Sequence, residues 1–297
     1  MSVVVVGSAN LDVVARVPRI PGPGETLLAT SVARGAGGKG ANQAVAAARA
    51  GGAPTWFVGR LGDDGDAALL RASLTGAGVA LDAVEVSPAP TGTALISVSD
   101  DGENAIVVVG GANADFTALS PAQRDRIASA AVVVAQLEVP LPTVLAAAQA
   151  RAAGARFVLN AAPSAPLPDE LLGEVDVLVV NEHELADLAP DLDLEDATQQ
   201  LLGQVGAVVV TLGSRGCLVV EQGGTTEVPA LAVTALDTTG AGDTFCGVLA
   251  ARLAAGDTLV EAAAWGSVAG ALAVQRPGAQ EAVPTADEVA AARQEQA

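Results

Sequence analysis

The chain of 297 residues is long enough to bury a large aliphatic core, because 51% of its residues are apolar and only 2% are aromatic. Its 34 acidic and 15 basic residues give a formal net charge of −19, which predicts repulsion from nucleic acids and from anionic membranes. The scarcity of aromatic side chains also argues against a stacking platform for single-stranded nucleic acid.

The first residues predict a buried strand rather than a signal peptide. The run Val3–Val6 follows no basic segment and is too short to span a membrane. The two cysteines, Cys217 and Cys246, are too few for a disulfide framework or a zinc site. We therefore expect a cytoplasmic protein.

Short Val-rich runs alternate with helical stretches along most of the chain. Apolar runs of this length predict strands buried on both faces, and their alternation with helices predicts a mostly parallel sheet between two helical layers. Such sheets bind ligands beyond the carboxyl ends of their strands. The predicted elements are strands at 3–6, 131–135, 157–159, 177–180 and 207–211, helices at 41–50, 66–74, 143–152 and 196–202, and a hairpin at 216–221 and 225–228.

Two stretches interrupt this alternation and predict strand pairs that lie apart from the main sheet. Residues 13–36 contain three prolines before an alternating tail, and residues 92–111 contain two alternating runs around an Asp-Asp-Gly-Glu turn. We expect these strands to form a small lid over the ligand cleft, within a single domain that spans residues 1–297.

Polar side chains follow the first predicted strand and the strand at 131–135. Asn10 and Asp12 alternate with apolar neighbours, so both point to one side, and Glu138 follows the later strand. An amide beside a carboxylate can satisfy vicinal hydroxyls, which need donors and acceptors together. The alternative interpretation of residues 8–12 is a polar turn.

The only lysine, Lys39, lies in the glycine-rich segment 35–40. The segment fits the dinucleotide pattern G-x-G-x-x-G but follows no strong apolar strand, and Gly40 stands where a P-loop needs Ser or Thr. A compact cation between glycines suits a tight ligand site. Asn42, at the start of the next helix, can either hydrogen-bond a sugar hydroxyl or cap that helix.

Asn181 and Glu184 follow a predicted strand with the spacing of a capping box, which is their structural interpretation. The functional interpretation is a magnesium shell, in which Glu184 holds ordered waters and Asn181 contacts phosphate. Thr211 and Gly213 follow the next strand and can contact phosphate or adenine. The only histidine, His183, is expected to be exposed and receives no catalytic role.

The segment 237–244, Asp-Thr-Thr-Gly-Ala-Gly-Asp-Thr, carries the strongest chemical signal. Three small residues at 240–242 leave their backbone N–H groups unobstructed before a helix predicted over 245–255, and such helix starts hold anions. Because a phosphate would repel Asp243, a carboxylate here predicts a base that takes a proton from a hydroxyl during phosphoryl transfer. The alternative is helix capping by Thr or Asp.

The segments 38–44 and 237–245 form a highly specific pair of motifs. Together with shorter motifs they resemble the ribokinase branch of the PfkB-type carbohydrate kinase family over nearly the whole chain, and residues 37–48 favour that branch. The resemblance implies a three-layer α/β/α fold with a mostly parallel central sheet and a small β-strand lid. The shorter motifs lie at 10–12, 21–26, 62–64, 111–114, 136–138, 181–184 and 211–216.

The resemblance implies ATP-dependent phosphorylation of the 5-hydroxyl of D-ribose, with Mg²⁺ as cofactor, K⁺ as activator and homodimers joined through the lid strands. It places the sugar on Asn10, Asp12, Gly38, Lys39, Asn42 and Glu138, the base at Asp243, and the anion hole at Gly240, Ala241 and Gly242. It assigns ATP to Asn181, Glu184, Thr211, Gly213, Gly242 and Ser267, magnesium to Glu184 through water, and the monovalent cation to Asp237, Thr239, Ala273, Arg276 and Gly278.

Two departures from the family pattern leave potassium dependence and nucleotide choice open. Ala282 stands where these kinases often carry Ser near the cation site, and Ser267 stands where a larger polar side chain often faces adenine. The nearest alternative function is a sister kinase that acts on deoxyribose, a ketose or a nucleoside. More distant alternatives are a non-catalytic sugar or nucleotide sensor and, on the glycine pattern alone, a dinucleotide-dependent oxidoreductase.

Overall fold

Two sheets of different size organise the chain in the computed structural model, which describes residues 1–295 and so omits the last two of the predicted domain. The strands are β1 Val3–Val6, β2 Asn10–Val17, β3 Ser31–Gly37, β4 Thr55–Leu61, β5 Val79–Ala80, β6 Val84–Val86, β7 Gly92–Ser99, β8 Asn104–Val109, β9 Val132–Ala135, β10 Arg156–Asn160, β11 Val177–Asn181, β12 Val208–Thr211, β13 Cys217–Glu221 and β14 Gly224–Val228. The helices are α1 Lys39–Arg49, α2 Gly65–Gly76, α3 Pro121–Ala128, α4 Leu141–Ala150, α5 Asp169–Leu172, α6 Glu182–Leu188, α7 Leu194–Leu202, α8 Ala241–Ala255, α9 Leu259–Ala273 and α10 Ala286–Glu295.

The larger sheet runs in the order β14-β13-β12-β11-β10-β9-β1-β4-β5, with β6 also paired to β4. All its pairs are parallel except the two that join β12, β13 and β14 at one edge. Val3 and Val5 pack into one core with α1, α2, α8, α9 and α10, whereas Val4 and Val6 pack into a second core with α3 to α7. This arrangement confirms the predicted three-layer α/β/α fold.

The smaller sheet contains the two segments that interrupt the predicted alternation. Its order is β3-β2-β7-β8, and only the β2–β7 pair is parallel. β2 leaves the carboxyl end of β1 through residues 7–9, so this sheet begins where the ligand cleft is expected. Asn10 and Asp12 lie in β2, and the alternative of a polar turn at 8–12 is therefore wrong for these two residues.

Strand β4 and the start of α8 differ from the sequence prediction, and the predicted elements also did not include the short strands β5 and β6 or the helices α3, α5, α9 and α10. β4 is a buried partner of β1 that the Val-rich pattern missed, because its sequence Thr-Trp-Phe-Val-Gly-Arg-Leu mixes aromatic, polar and glycine residues. α8 begins at Ala241 instead of residue 245, since Ala241, Gly242 and Asp243 already form its first turn. The other predicted strands and helices and the later hairpin match observed elements within a few residues.

Within residues 1–295 no helix combines the length and the apolar character that a membrane crossing requires. Cys217 and Cys246 are both free and buried. Burial raises the pKa of the Cys217 thiol to about 12. Both cysteines therefore act as small core residues.

Candidate active site

The carboxyl ends of neighbouring parallel strands carry most of the predicted polar residues. Asn10 follows β1 closely, and Glu138 follows β9, which pairs with β1. Asn181 ends β11, and Thr211 ends the adjacent strand β12. Because these strand ends share one edge of the sheet, the polar side chains lie along a single cleft.

The Asn10 amide is held by a residue that received no role from the sequence. Asn113 donates from Nδ2 to Asn10 Oδ1 at 2.7 Å and to the Ala9 carbonyl at 3.1 Å, and it accepts from the Ala9 N–H at 3.0 Å. The Asn10 oxygen is therefore occupied, and its NH₂ group lies 3.5 Å from Glu138 Oε2. Asn10 can offer a ligand a donor beside the Glu138 acceptor, which is the combination that vicinal hydroxyls need.

The start of α1 packs tightly against the backbone that follows β1. Gly38 has φ 89°, and a Cβ at this position would lie 2.6 Å from the Asn10 nitrogen. Glu138 Oε2 accepts from the Lys39 backbone N–H at 3.0 Å and from the Ser8 hydroxyl at 2.5 Å. The glycine pattern around Lys39 therefore has a packing reason, and it does not require a dinucleotide.

Four carboxylates make this end of the cleft acidic. Burial, together with the charges of Glu138, Asp243 and Glu281, raises the pKa of Asp12 to about 7. Lys39 is the cation among them, and its pKa is raised mainly by Asp243. An acidic, hydrogen-bonding pocket suits a neutral polyhydroxylated ligand rather than an anion.

Asp243 turns away from its own helix start and toward α1. Its Oδ2 accepts from Asn42 Nδ2 and its Oδ1 from Gln43 Nε2, both at 3.0 Å, and only 8% of the residue is exposed. The N-cap of α8 is Gly240, in the left-handed region with φ 73° and without a side-chain hydrogen bond. Capping by a Thr or Asp side chain is therefore wrong for α8. The Ala241 N–H donates to the Thr238 carbonyl at 3.3 Å, whereas the N–H groups of Gly242 and Asp243 have no hydrogen-bond acceptor among residues 1–295 and stay available to an anion.

The helices α1 and α8 approach closely enough for these hydrogen bonds because of a glycine in α8. A Cβ at Gly247 would lie 2.4 Å from the Gln43 carbonyl oxygen. The N-cap of α1 is Gly38, so the alternative role of Asn42 as a helix cap is also wrong. Asn42 Oδ1 instead accepts a hydrogen bond from Gln280 Nε2 at 3.1 Å, and Asn42 Nδ2 donates to Asp243.

A cavity of about 600 Å³ lies beside the start of α8. Four residues predicted to bind ATP line it, namely Thr211, Gly213, Gly242 and Ser267. Its remaining wall is mostly Ala, Gly and Val with Phe245, and the Ser267 side chain is nearly buried. An apolar slot next to free helix N–H groups can hold a planar base and place phosphates at the helix start.

Asn181 and Glu184 form the capping box that is their structural interpretation. Asn181 Oδ1 accepts from the Glu184 N–H, and Glu184 Oε2 accepts from the Asn181 N–H, each at 2.8 Å. Burial raises the pKa of Glu184, and the charges of Lys39 and Asp243 also act on it, so the carboxylate faces the cleft. Because the cap occupies one carboxylate oxygen, the other can still hold the water shell of a Mg²⁺ ion.

The residues predicted for the monovalent cation lie on two segments that hydrogen-bond to each other. Asp237 Oδ1 accepts from the Thr239 N–H and Oδ2 from the Gly278 N–H, each at 2.9 Å. Burial alone would raise the pKa of Asp237, but these N–H groups hold it below its usual value. The Arg276 guanidinium pairs with Glu288, which leaves only its main chain for a cation.

This donor set fits a monovalent ion better than a divalent one. Within the described residues no three His, Cys, Asp or Glu side chains cluster in a way that could hold a metal. One carboxylate with nearby carbonyl groups matches weak cation binding, and Ala273, at the end of α9, offers only its carbonyl. Ala282 is fully buried and supplies no hydroxyl.

Three buried amides near Asp243 have no role that the sequence pattern predicts. Gln43 contacts Asp243 directly, and Asn160 and Gln136 contact Gln43. Two signals could have found them, since Gln43 lies in the motif 38–44 and Asn160 ends a strand of the parallel sheet.

Comparison with known proteins gives one consistent result. The signature of the pfkB family carbohydrate kinases matches residues 1–286. A protein named ribokinase from Staphylococcus aureus is 38% identical over 299 aligned positions, which cover 97% of this chain and 98% of that protein. The structure of Arabidopsis thaliana ribokinase complexed with ribose and ATP has a TM-score of 0.92 at 36% identity and covers 99% of this chain and 98% of that one. The ribokinase structure from Thermotoga maritima has a TM-score of 0.93 at 34% identity, with 99% of each chain covered.

Proposed function

The chain belongs to the pfkB family of carbohydrate kinases, and from this membership we propose that it is an ATP-dependent ribose kinase that forms D-ribose 5-phosphate and ADP. One observation carries the proposal. The Asp243 carboxylate, held by two amides, lies at the uncapped start of α8 between an acidic hydroxyl-binding pocket and an apolar cavity. The names of full-length relatives, including a structure with ribose and ATP, support ribose as the sugar.

Asn10, Asp12 and Glu138 would hold the sugar hydroxyls, with Asn42 and the backbone of Gly38 beside them. Asp243 takes the proton of the 5-hydroxyl, and the sugar oxygen forms a bond to the γ-phosphorus of ATP. The bond from that phosphorus to the β–γ bridging oxygen breaks, and its electron pair leaves with ADP. A positioned base of this kind contributes about 10²–10⁴-fold to the rate.

The transferring phosphoryl group needs positive potential, because the protein as a whole is strongly acidic. Gly240 is the N-cap of α8 and Ala241 and Gly242 are its first residues, and their N–H groups would face the phosphates of bound ATP. Lys39 adds a positive side chain, and its pKa is raised by the charges of Asp243, Glu138 and Glu184. Phosphoryl transfer depends mainly on such positioning and electrostatics.

Two metal ions accompany this proposal. Glu184 would hold Mg²⁺ through water and Asn181 would contact phosphate, and the bound ion would neutralise charge on the nucleotide phosphates. Asp237, Thr239, Ala273, Arg276 and Gly278 would hold K⁺, with Ala282 adding nothing to the site. Binding of K⁺ would fix the loop that precedes α8.

We further propose a cytoplasmic homodimer joined through the lid strands. β8 is an edge strand whose six residues are all exposed, and Val107 and Val109 are 62% and 53% exposed. Leu95 of β7 and Val32 of β3 add exposed apolar surface to the same sheet. An apolar edge strand is a site for pairing with another chain, and a second copy would cover it.

A coupled assay of ADP release tests the proposed activity with ribose, deoxyribose, fructose and adenosine in parallel. We expect the highest kcat/KM with ribose. A higher value with another sugar would assign the chain to a sister kinase. Ribose binding without ADP release would instead support a non-catalytic sensor.

A further inference from the structure

A chain of buried amide groups ends on the Asp243 carboxylate. Gln43 donates both hydrogens of Nε2, one to Asp243 Oδ1 and one to Asn160 Oδ1, each at 3.0 Å. Its Oε1 accepts from Gln136 Nε2 at 2.6 Å, and Asn160 Nδ2 donates to the Val179 carbonyl at 3.2 Å. Gln43 and Gln136 are fully buried, so no solvent competes for these bonds.

The direction of every amide in this chain follows from one backbone group. The Val179 carbonyl can only accept, so Asn160 must turn its NH₂ group toward it and its oxygen toward Gln43. Gln43 must then turn its NH₂ group toward Asn160 and thereby toward Asp243. The fold thus presents a donor to Asp243 Oδ1, and a flipped Gln43 would place an oxygen against an oxygen.

A second set of hydrogen bonds fixes the other carboxylate oxygen. Ser73 donates to Gln280 Oε1 at 2.7 Å, Gln280 donates to Asn42 Oδ1 at 3.1 Å, and Asn42 donates to Asp243 Oδ2. Each oxygen of the carboxylate therefore has one donor from α1 and keeps lone pairs for a substrate hydroxyl. Two fixed donors determine the plane of the carboxylate.

We propose that Gln43 is a positioning residue, which holds the Asp243 carboxylate in the orientation that accepts the sugar proton. The inference rests on the proposed kinase function and adds a requirement to it. Gln43 does not reach the substrate, because its amide groups are all engaged within the protein. Its loss should lower kcat and leave the KM values for sugar and ATP unchanged.

Two variants of Gln43 separate positioning from packing. Gln43→Leu introduces an apolar side chain of similar size and removes the donor, and we expect kcat to fall on the order of 10- to 100-fold because the base is misplaced. Gln43→Glu restores a donor only when the new carboxyl is protonated. The ratio of its kcat to the wild-type kcat should therefore decrease as pH rises, whereas the ratio for Gln43→Leu should not depend on pH.

Other ionisable groups also act on the Asp243 carboxylate. The ratio of variant kcat to wild-type kcat removes the effect that these groups have on both proteins. Asp12 of β2, Lys39 of α1 and Glu184 of α6 are coupled to Asp243 by charge, and Cys246 of α8 lies within reach of it. All four are present in the wild type and in both variants. A pH-dependent ratio that appears only in Gln43→Glu therefore reports the new carboxyl itself.

Gln123→Leu is the matched control. Gln123 lies in α3, on the opposite face of the sheet, and it is also fully buried. Its amide donates to the Ala83 carbonyl at 3.2 Å. We expect this variant to lower Tm as Gln43→Leu does but to keep the wild-type kcat. Wild-type kcat in a folded Gln43→Leu, or a pH-independent ratio in Gln43→Glu, would overturn the inference. If Gln43→Leu does not fold, Gln43→Glu decides alone. A wild-type protein that is inactive with ribose, deoxyribose, fructose and adenosine would overturn the kinase proposal as well.

Discussion

Asp12→Asn should make the protein more stable while it weakens sugar binding. Burial raises the pKa of Asp12 from 3.8 to about 7, with Glu138, Asp243 and Glu281 adding repulsion. The folded state therefore binds the proton more tightly than the unfolded state. Stability from this group is fully present below about pH 4 and is lost as pH rises toward 7. Asn has the shape of the protonated carboxyl but does not ionise.

The pKa shift sets the size of the effect. A shift of about three units at 1.36 kcal/mol each gives a cost of roughly 4 kcal/mol at pH 8 as an upper value, and roughly 1.5 kcal/mol at pH 5. Urea unfolding followed by Trp fluorescence should therefore show a stability gain for Asp12→Asn that is larger at pH 8 than at pH 5. The KM for ribose should rise, because the neutral amide replaces an acceptor for sugar hydroxyls.

The control is Asp63→Asn, an exposed carboxylate in the loop before α2. It should change stability little, and equally at both pH values. If Asp12→Asn were no more stable than the wild type at pH 8, or if its gain did not grow between pH 5 and pH 8, the reasoning from burial and repulsion would be refuted. A confirmed gain would show that the carboxylate of Asp12 lowers the free energy of unfolding at a position proposed to bind the sugar, which is a trade-off between stability and function.

Three further predictions concern the base, the sugar amide and the dimer. Asp243→Asn should keep the circular dichroism spectrum and lower kcat by about 10²–10⁴-fold in the ADP-release assay, and near-wild-type turnover would remove its role as base. Asn113→Ala should raise the KM for ribose more than it lowers kcat, because Asn10 loses the donor at 2.7 Å, and an unchanged KM would contradict this. Val107→Glu should convert a dimer to a monomer in analytical ultracentrifugation, whereas Glu103→Gln, in the turn before β8, should not, and an unchanged dimer would place the interface elsewhere.

The fold could be predicted because its signals are local. β1 is an uninterrupted run of four valines, and such a run forms a strand that is covered on both faces. The start of α8 could not be predicted from propensity, because glycines at 240 and 242 disfavour a helix on their own. The first turn forms because Gly240 adopts the left-handed conformation as N-cap and Asp243 is anchored on α1.

The strand ends located the candidate site, but the partners within it could not be read from spacing. Asn10 and Glu138 follow strands of the parallel sheet and Asn181 and Thr211 end two others, and the Val-rich runs before these residues are visible in the sequence. Gln43 and Asp243 are 200 positions apart, and their contact depends on how α1 packs against α8. The sequence also cannot distinguish a capping box from a pair of residues at a metal site, because both can consist of Asn and Glu three positions apart, as Asn181 and Glu184 are.

The hydrogen bonds of Asp243 explain why neutral amides surround it in place of a cation. A guanidinium paired with the carboxylate would stabilise its charged form and lower its affinity for a proton, which a base must accept. Asn42 and Gln43 orient both oxygens without adding charge. The only lysine of the chain, Lys39, acts on Asp243 through its charge, but its side chain forms no hydrogen bond or salt bridge with that carboxylate. Orientation by amides instead of by a paired cation would let Asp243 act as the proposed base next to an anionic substrate.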